Sequence, residues 1–339
     1  MTTYYRAIPH SDAARPANAL TLASGWTWFT HVECLQRGGD AQIVPAKDIP
    51  TDVLALMTGD RAEIAGLPMT HPQIMGILNV TPDSFSDGGQ FNAPEQAIAR
   101  TKDMIQQGAS IIDIGGESTR PGSGFVEIDE EIARTQPVIS AVSPEIDVPI
   151  SIDTRKAPVA KAALGAGATV VNDVSGFTFD AELGPLAASE RAPVCVMHAQ
   201  GDPATMQDDP SYDDVLLDVY DFLAAQVAQL EALGIARNQI IVDPGIGFGK
   251  TLEHNLALLA RISLFHSLGC PILLGASRKR LIGAVADAPE TAQRVPGSLA
   301  LALQSISQGV QFLRVHDVAE TKQALSLWQA ATKGEYYGT

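Results

Sequence analysis

The sequence has few cysteines and a deficit of basic side chains. Its three cysteines, Cys34, Cys195 and Cys270, lie far apart with no C-x-x-C spacing, which argues against a disulfide framework or a zinc ribbon. We expect all three to be reduced packing residues. The 23 basic residues against 39 acidic ones give a formal net charge of -16, which argues against nucleic acid or an anionic membrane surface as a partner.

Long apolar runs and targeting signals are also missing. No stretch approaches the roughly 18 apolar residues of a membrane span, and the first residues lack a basic region followed by an apolar one. The expected location is therefore the cytoplasm.

Several common catalytic motifs are absent from the sequence, which contains no H-E-x-x-H, Cys/His zinc or G-x-S-x-G pattern. The stretch "GIGFGKT" (245–251) is similar to a phosphate-binding loop, but Pro244 stands where that pattern requires glycine. We expect its glycines to form a tight turn that exposes Phe248, with Lys250 in solvent.

What the sequence does contain is a repeated alternation of apolar and amphipathic stretches from residue 74 onward. Eight short apolar runs occupy residues 74–79, 110–116, 148–153, 168–173, 192–197, 239–243, 271–276 and 311–316. Most are continuously apolar, as in parallel strands buried on both faces. Helical patterns over 93–108 and 213–234 end at glycines, and Gly167 ends a third before the next strand, as helix C-caps do. This rhythm predicts an α/β fold, a (β/α)8 TIM barrel over residues 71–339. An open doubly wound sheet is the structural alternative.

Residues 1–70 do not share this rhythm. They suggest one or two strands and a short helix, too few elements for an independent catalytic domain. We interpret them as an N-terminal extension of about 70 residues packed on the barrel. A partner-binding element is the alternative, and nothing in these residues decides between the two.

Polar residues follow every predicted strand at the end where the loops of such a barrel converge on one mouth. The short acceptors Asp153, Asn172 and Asp243 end apolar strands, so we expect them to be buried and to need donors, such as the paired N–H groups of a flat, guanidine-like ligand edge. A second group consists of cations or potential cations, and it suggests an anion such as phosphate or pyrophosphate: Arg120, Arg278, Lys279, Arg314 and His316. A metal, if present, is expected to be Mg²⁺ held by few protein oxygens and by the phosphates.

Seven motifs together resemble one known family. "MGILNVTPDSFSDGG", "GGESTRPGS", "SIDTRKA", "VVNDVSG", "DPGIGFGK", "GASRKRLIG" and "RVHDV" occur in the order and at the spacings of the dihydropteroate synthases, the folate-pathway transferases targeted by sulfonamides. The resemblance covers about residues 72–333. It implies a (β/α)8 barrel, usually a homodimer, that joins 6-hydroxymethyl-7,8-dihydropterin pyrophosphate to p-aminobenzoate and releases pyrophosphate.

The resemblance also implies roles for individual residues. The pterin pocket would comprise Asp153, Asn172, Asp243, Lys279 and Met197, and the pyrophosphate site Thr119, Arg120, Arg314 and His316. The p-aminobenzoate site would comprise Phe85, Pro121, Phe248 and Ser277, with Phe85 on a mobile first loop, and Asn79 would bind Mg²⁺. The catalytic residues would be Asp153, Lys279, Arg314 and, as a stabiliser of the developing cation, Asp83.

The expected mechanism is a dissociative, SN1-like displacement without a covalent intermediate, because fixed charges can stabilise both the pterin cation and the departing pyrophosphate. Two positions depart from the family pattern. Ala199 stands where a second methionine is frequent, and Ile246 stands where an aromatic residue is common. The alternatives are a pterin-dependent methyltransferase of related fold and a non-catalytic pterin-binding paralogue.

Overall fold

The computed structural model describes residues 2–80, 93–118, 124–201 and 205–335. The chain begins with five short strands and one helix: β1 (Tyr4–Ala7), β2 (Leu20–Thr21), β3 (Trp28–Phe29), β4 (His31–Leu35), β5 (Gln42–Pro45) and α1 (Thr51–Thr58). Strands β1, β4 and β5 form an antiparallel sheet, and β2 pairs with β3. The prediction of one or two strands was wrong, because runs of two to five residues are too short to show a clear alternation.

This N-terminal segment contacts the rest of the chain through several specific groups. The Tyr4 hydroxyl donates to Asp221 at 2.9 Å, and the Trp26 indole N–H donates to the carbonyl of Ile306 at 2.7 Å. Farther along, Ile64 and Met69 are 0% and 1% exposed. They pack against apolar side chains of a second, parallel sheet, which is described next. The segment therefore contacts the helices that contain Asp221 and Ile306, and it covers one end of that sheet.

The second sheet consists of eight parallel strands, β6 (Gln73–Asn79), β7 (Ile111–Gly115), β8 (Ile150–Asp153), β9 (Val170–Asp173), β10 (Val194–Met197), β11 (Ile240–Asp243), β12 (Leu273–Leu274) and β13 (Phe312–Val315). Neighbours in sequence are neighbours in the sheet, and β13 pairs with β6. A parallel bridge between Val242 and Ile272 closes the circle. All eight predicted strands are confirmed, and the closure rules out the open sheet.

Helices follow the strands and cover the outside of the barrel: α2 (Ala93–Gln106), α3 (Ile128–Val142), α4 (Ala157–Gly165), α5 (Leu183–Glu190), α6 (Val215–Ala232), α7 (Leu252–Ala260), α8 (Arg280–Ala286), α9 (Val295–Ser307) and α10 (Val318–Lys333). The predicted glycine stops after α2, α4 and α6 are confirmed: Gly108, Gly167 and Gly234 have φ values of 108°, 115° and 97°, which glycine adopts without a Cβ clash. In the described part of the chain, no helix is both long and apolar enough to cross a membrane.

The barrel interior changes from apolar to polar along its axis. Near the N-terminal ends of the strands, an apolar layer consists of Met75, Ile111, Val170, Cys195, Ile241, Leu273 and Phe312. Two residues nearer the carboxyl ends, the inward side chains include Asp113, Asn172, Asp243 and Arg314, and on β8 Ser151 is followed by Asp153. The fold therefore places polar groups at the mouth above a closed apolar floor.

Candidate active site

An arginine and two carboxylates form the centre of the barrel mouth. Arg314 Nε donates to Asp113 Oδ2 at 2.6 Å, and a terminal nitrogen of Arg314 donates to Asp153 Oδ2, also at 2.6 Å. The Asn172 amide lies 3.3 Å from Asp113 Oδ1. Two carboxylates thus share one cation, and since a guanidinium has five N–H groups, the arginine keeps donors for a ligand.

Asp153 has spare acceptor capacity in this cluster. Its Oδ1 is buried and has no hydrogen-bond partner. Burial raises the pKa of Asp153 to about 7, and the charge of Asp113 adds to this effect while Arg314 opposes it. A buried acceptor without a donor costs about 1–3 kcal/mol. The site is therefore arranged to receive an N–H group.

Asp243 and Met197 lie next to each other across strands β10 and β11. Asp243 is 5% exposed, its Oδ1 accepts from the Gly245 amide at 2.7 Å, and burial raises its pKa. A Cβ on Gly275 would lie 3.8 Å from Asp243 Oδ2 and 4.0 Å from Arg314 Cβ. Glycine at this position leaves open the space between a carboxylate and the arginine.

Lys279 lies at the edge of this space. Its Nζ donates to the carbonyl of Ile246 and lies 4.3 Å from the centre of the Phe248 ring, a cation–π contact. Burial lowers the pKa of Lys279 to about 7, although the nearby Asp243 carboxylate opposes the shift. Phe248 is half-buried, at the tip of a turn in which Gly245, Gly247 and Gly249 all have positive φ, so the predicted tight turn is confirmed.

Ser277 and His316 face each other at the ends of β12 and β13. The Ser277 hydroxyl lies 3.0 Å from His316 Nδ1 and accepts from the His316 backbone N–H at 3.2 Å. Arg278 differs from our expectation of a cation available to an anion, because its Nε donates to Asp317 Oδ2 at 2.9 Å. That ion pair neutralises its charge.

The remaining predicted site residues are less fully described. Asn79 ends β6 beside Gly115 and is half-buried. Asp83, Phe85, Thr119, Arg120 and Pro121 lie outside the described residues, so the roles predicted for them stay predictions. Among the side chains that the structure describes, no group of three or more His, Cys, Asp or Glu residues is placed to hold a metal ion.

Two polar residues of the mouth were missed or misread in the sequence. Asp113 is fully buried in the middle of β7, and the signal that could have found it is a carboxylate inside the otherwise apolar run "SIIDIGG". The expectation that Lys250 is solvated was wrong, because its side chain is only 3% exposed. Its Nζ lies 2.8 Å from His198 Nδ1, in the space between two loops of the mouth.

In chemical terms, the site combines buried acceptors with two partly exposed cations. The acceptors Asp153, Asn172 and Asp243 are 7%, 4% and 5% exposed, which confirms their predicted burial. Lys279 and Arg314 are partly exposed beside them. Such an arrangement can hold a flat, N–H-rich ring beside an anionic group.

Comparisons with known proteins agree with this geometry. The family model described as "Pterin binding enzyme" matches residues 75–316. Dihydropteroate synthase from Synechocystis is 48% identical over 260 residues, which cover 76% of this chain and 90% of that protein. The Escherichia coli dihydropteroate synthase is 45% identical over 269 residues, which cover 79% of this chain and 95% of that protein.

Solved structures give the same result. Xanthomonas albilineans dihydropteroate synthase with 4-aminobenzoic acid superposes with a TM-score of 0.74 at 43% identity, covering 79% of this chain and 96% of that one. The family match spans most of the chain, and the relatives are covered almost completely. The chain belongs to the dihydropteroate synthase family of pterin-binding enzymes.

Proposed function

We propose that the protein condenses 6-hydroxymethyl-7,8-dihydropterin pyrophosphate with p-aminobenzoate to give 7,8-dihydropteroate and pyrophosphate. The observation that carries this proposal is the unpartnered, buried Asp153 Oδ1, which lies in a cluster of acceptors beside two cations. The ring N–H and 2-amino groups of a pterin supply the donors that these acceptors need. Relatives solved with 4-aminobenzoic acid and with 7,8-dihydropteroate bind molecules of the same two classes.

In this proposal the pterin lies between the strands' carboxyl ends. Asp153 and Asp243 accept from its N–H groups, Asn172 and Lys279 bind its polar edge, and Met197 packs nearby. Gly275 supports this placement, because a side chain there would contact both Asp243 and Arg314. The ring would otherwise compete with that side chain for the same space.

The reaction follows from where the charges lie. Carbon–oxygen cleavage at the pterin methylene leaves positive charge on the ring and negative charge on pyrophosphate. Asp153 and Asp243 stabilise the ring, while Arg314 and His316, with Thr119 and Arg120, stabilise the leaving group. The aniline nitrogen then attacks with its lone pair and loses its proton afterwards, so p-aminobenzoate needs only to be positioned by Phe248 and Ser277, with Phe85 and Pro121. No covalent intermediate forms on the protein.

We further propose that Asn79 binds Mg²⁺ together with the pyrophosphate oxygens. An amide oxygen at the end of β6 is a hard ligand, and Mg²⁺ in such sites takes few protein ligands and fills its coordination with phosphate and water. When bound, the ion would neutralise charge on the leaving group. Asn79→Ala should shift the Mg²⁺ titration of activity to higher concentration, and an unchanged titration would contradict the assignment.

We also propose a cytoplasmic homodimer. The three cysteines are free, and Cys195 and Cys270 are buried, as expected in a reducing compartment. Light scattering of the purified protein measures the oligomeric state.

One assay separates the proposed function from its alternatives. Purified protein is mixed with dihydropterin pyrophosphate, p-aminobenzoate and Mg²⁺, and released pyrophosphate and dihydropteroate are both measured. Equal amounts of the two products are expected. A methyltransferase would form neither product. Its substrate carries no pyrophosphate, so it would not need Lys279 and Arg314 to bind such an anion. A non-catalytic paralogue would bind the pterin without turnover.

The raised pKa of Asp153 leads to a prediction about pterin binding. A ring N–H that donates to Asp153 favours the ionised carboxylate, so the pKa of about 7 should fall on binding and a proton should be released near pH 6 to 7. Affinity should then weaken as the pH falls below about 7. The charges of Arg314, Asp113, Glu131 and Asp173 act on the pKa of Asp153, and the prediction requires that these charges stay the same when the pterin binds.

Calorimetry in two buffers with different ionisation enthalpies measures that proton. The binding enthalpy of a stable pterin should depend on the buffer for the native protein and not for Asp153→Asn. A buffer-independent enthalpy in the native protein would contradict the role of Asp153.

A further inference from the structure

The turn at residues 245–249 is held by an unusual number of side chains. The carbonyls of residues 246 to 249 all accept from side chains. Three of the donors are distant in sequence: Lys279 binds Ile246 O, Gln207 binds Gly247 O at 2.8 Å, and Tyr212 binds Gly249 O at 2.7 Å. The fourth, Lys250, binds Phe248 O at 3.0 Å and lies two residues after it. The turn is therefore fixed by donors, although its glycine content alone would leave it free to move.

The turn also packs directly against the loop that follows β10. A Cβ on Gly245 would lie 1.8 Å from the carbonyl oxygen of His198, and one on Gly249 would lie 2.3 Å from that of Gln200. Since real Cβ atoms do not approach so closely, both positions require glycine. The backbones of the two loops are consequently in contact.

Lys250, like Gln207 and Tyr212, joins these two loops, and it does so from within the turn's own segment. Its Nζ lies 2.8 Å from His198 Nδ1, 3.2 Å from the His198 carbonyl and 3.0 Å from the Phe248 carbonyl. Burial, together with the Lys250 charge, lowers the pKa of His198 to about 2. The imidazole is therefore neutral, and its Nδ1 can accept a hydrogen bond.

We propose that Lys250 is a positioning residue for the condensation: through His198 and the Phe248 carbonyl, it fixes the turn that presents Phe248 to p-aminobenzoate and the Ile246 carbonyl to Lys279. This inference rests on the proposed function and extends it to a residue that does not touch the substrates. Without Lys250, two buried acceptors on His198 and the part-buried Phe248 carbonyl lose a donor, and this part of the turn can move away from the loop after β10. The Phe248 ring moves with it.

The test compares Lys250→Met with the native protein in steady-state kinetics. The KM for p-aminobenzoate is expected to rise roughly 10- to 100-fold, as for displacement of a positioning group by about 1 Å, with a smaller change in the KM for dihydropterin pyrophosphate. Lys102→Met is the matched control, because Lys102 is an exposed lysine on α2 that pairs with Glu145. Equal KM values in Lys250→Met and the native protein would overturn the proposal, as would a fall in kcat alone that tracks the folded fraction.

A second pair of variants decides the question if Lys250→Met does not fold. His198→Asn retains an acceptor near the Nδ1 position and should keep a nearly native KM for p-aminobenzoate, whereas His198→Leu removes it and should raise that KM. Equal values in the two would overturn the proposal.

Hydrogen exchange of the 245–251 segment gives a readout that does not depend on turnover. Faster exchange in Lys250→Met or His198→Leu than in the native protein is expected, and unchanged exchange overturns the inference. If the native protein itself releases no pyrophosphate, the proposed function fails instead, so the two failures are distinct.

Discussion

Replacing Arg314 with alanine is expected to lower kcat/KM by about 100- to 1,000-fold, the cost of removing one preorganised donor to a developing negative charge. It should also lower the free energy of unfolding by about 3–5 kcal/mol, because it leaves buried carboxylates without their cation. Both effects follow from one geometry: the guanidinium binds Asp113 and Asp153, each at 2.6 Å, and keeps further N–H groups for the leaving pyrophosphate. Steady-state kinetics and urea denaturation measure the two effects separately.

Two further variants separate catalysis from stability. Arg314→Lys keeps the charge but, as a point charge without a planar fork, cannot hold both carboxylates in this geometry, so it should lose activity as well. Arg314→Ala combined with Asp113→Asn removes one of the stranded charges and should regain stability without regaining activity. A near-native kcat/KM in folded Arg314→Ala protein would refute its role at the leaving group.

The parts of this site that the sequence predicts are those at strand ends. Asp153, Asn172 and Asp243 each lie at or next to the last residue of an apolar strand, and the barrel rule alone assigns such residues to the mouth. Asp113 was missed because it lies in the middle of β7, whereas the prediction considered only residues at the ends of strands. Strand pairing places it opposite Ser151, inside the barrel.

Side-chain partners were harder to predict than positions. Nothing in the spacing of Arg278 and Arg314 distinguishes them, yet one pairs with Asp317 outside the cluster and the other with Asp113 and Asp153. Likewise, a lysine after a glycine-rich stretch is ordinarily solvated. Lys250 is buried because the turn folds back onto residues 198–200, a contact between loops that depends on the closed barrel.

A second buried charge cluster lies beside the mouth, between β8 and the helix that follows β7. Lys156 Nζ lies 2.6 Å from Glu131 Oε2 and 3.3 Å from Glu117 Oε2, and it donates to the carbonyl of Val126 at 2.6 Å. Lys156 and Glu131 are 1% and 0% exposed. The lysine therefore connects the loop after β7 to the start of α4. Because the group is buried, solvent cannot easily take the place of these contacts if the lysine is removed.

Lys156→Met should lower the free energy of unfolding by about 3–5 kcal/mol, since it removes the cation from between two buried carboxylates. The matched control is Lys102→Met, whose partner Glu145 lies 2.8 Å away in a pair with side chains 46% and 48% exposed. Such surface pairs contribute about 0–1 kcal/mol. Urea denaturation of both variants compares the same chemical change at a buried and an exposed position.

The pH dependence of that loss identifies its cause. Burial already raises the pKa of Glu131 above its usual range, and Lys156 opposes the shift. Without the lysine, the folded-state pKa of Glu131 rises further. A carboxyl group whose pKa is raised by folding destabilises the protein more as the pH increases from its unfolded-state pKa to its folded-state pKa. The deficit of Lys156→Met relative to native protein should therefore be smaller at about pH 5 than at about pH 8. Lost packing of the lysine stem would instead give a deficit that is equal at both pH values, because methionine has no charge to respond to pH.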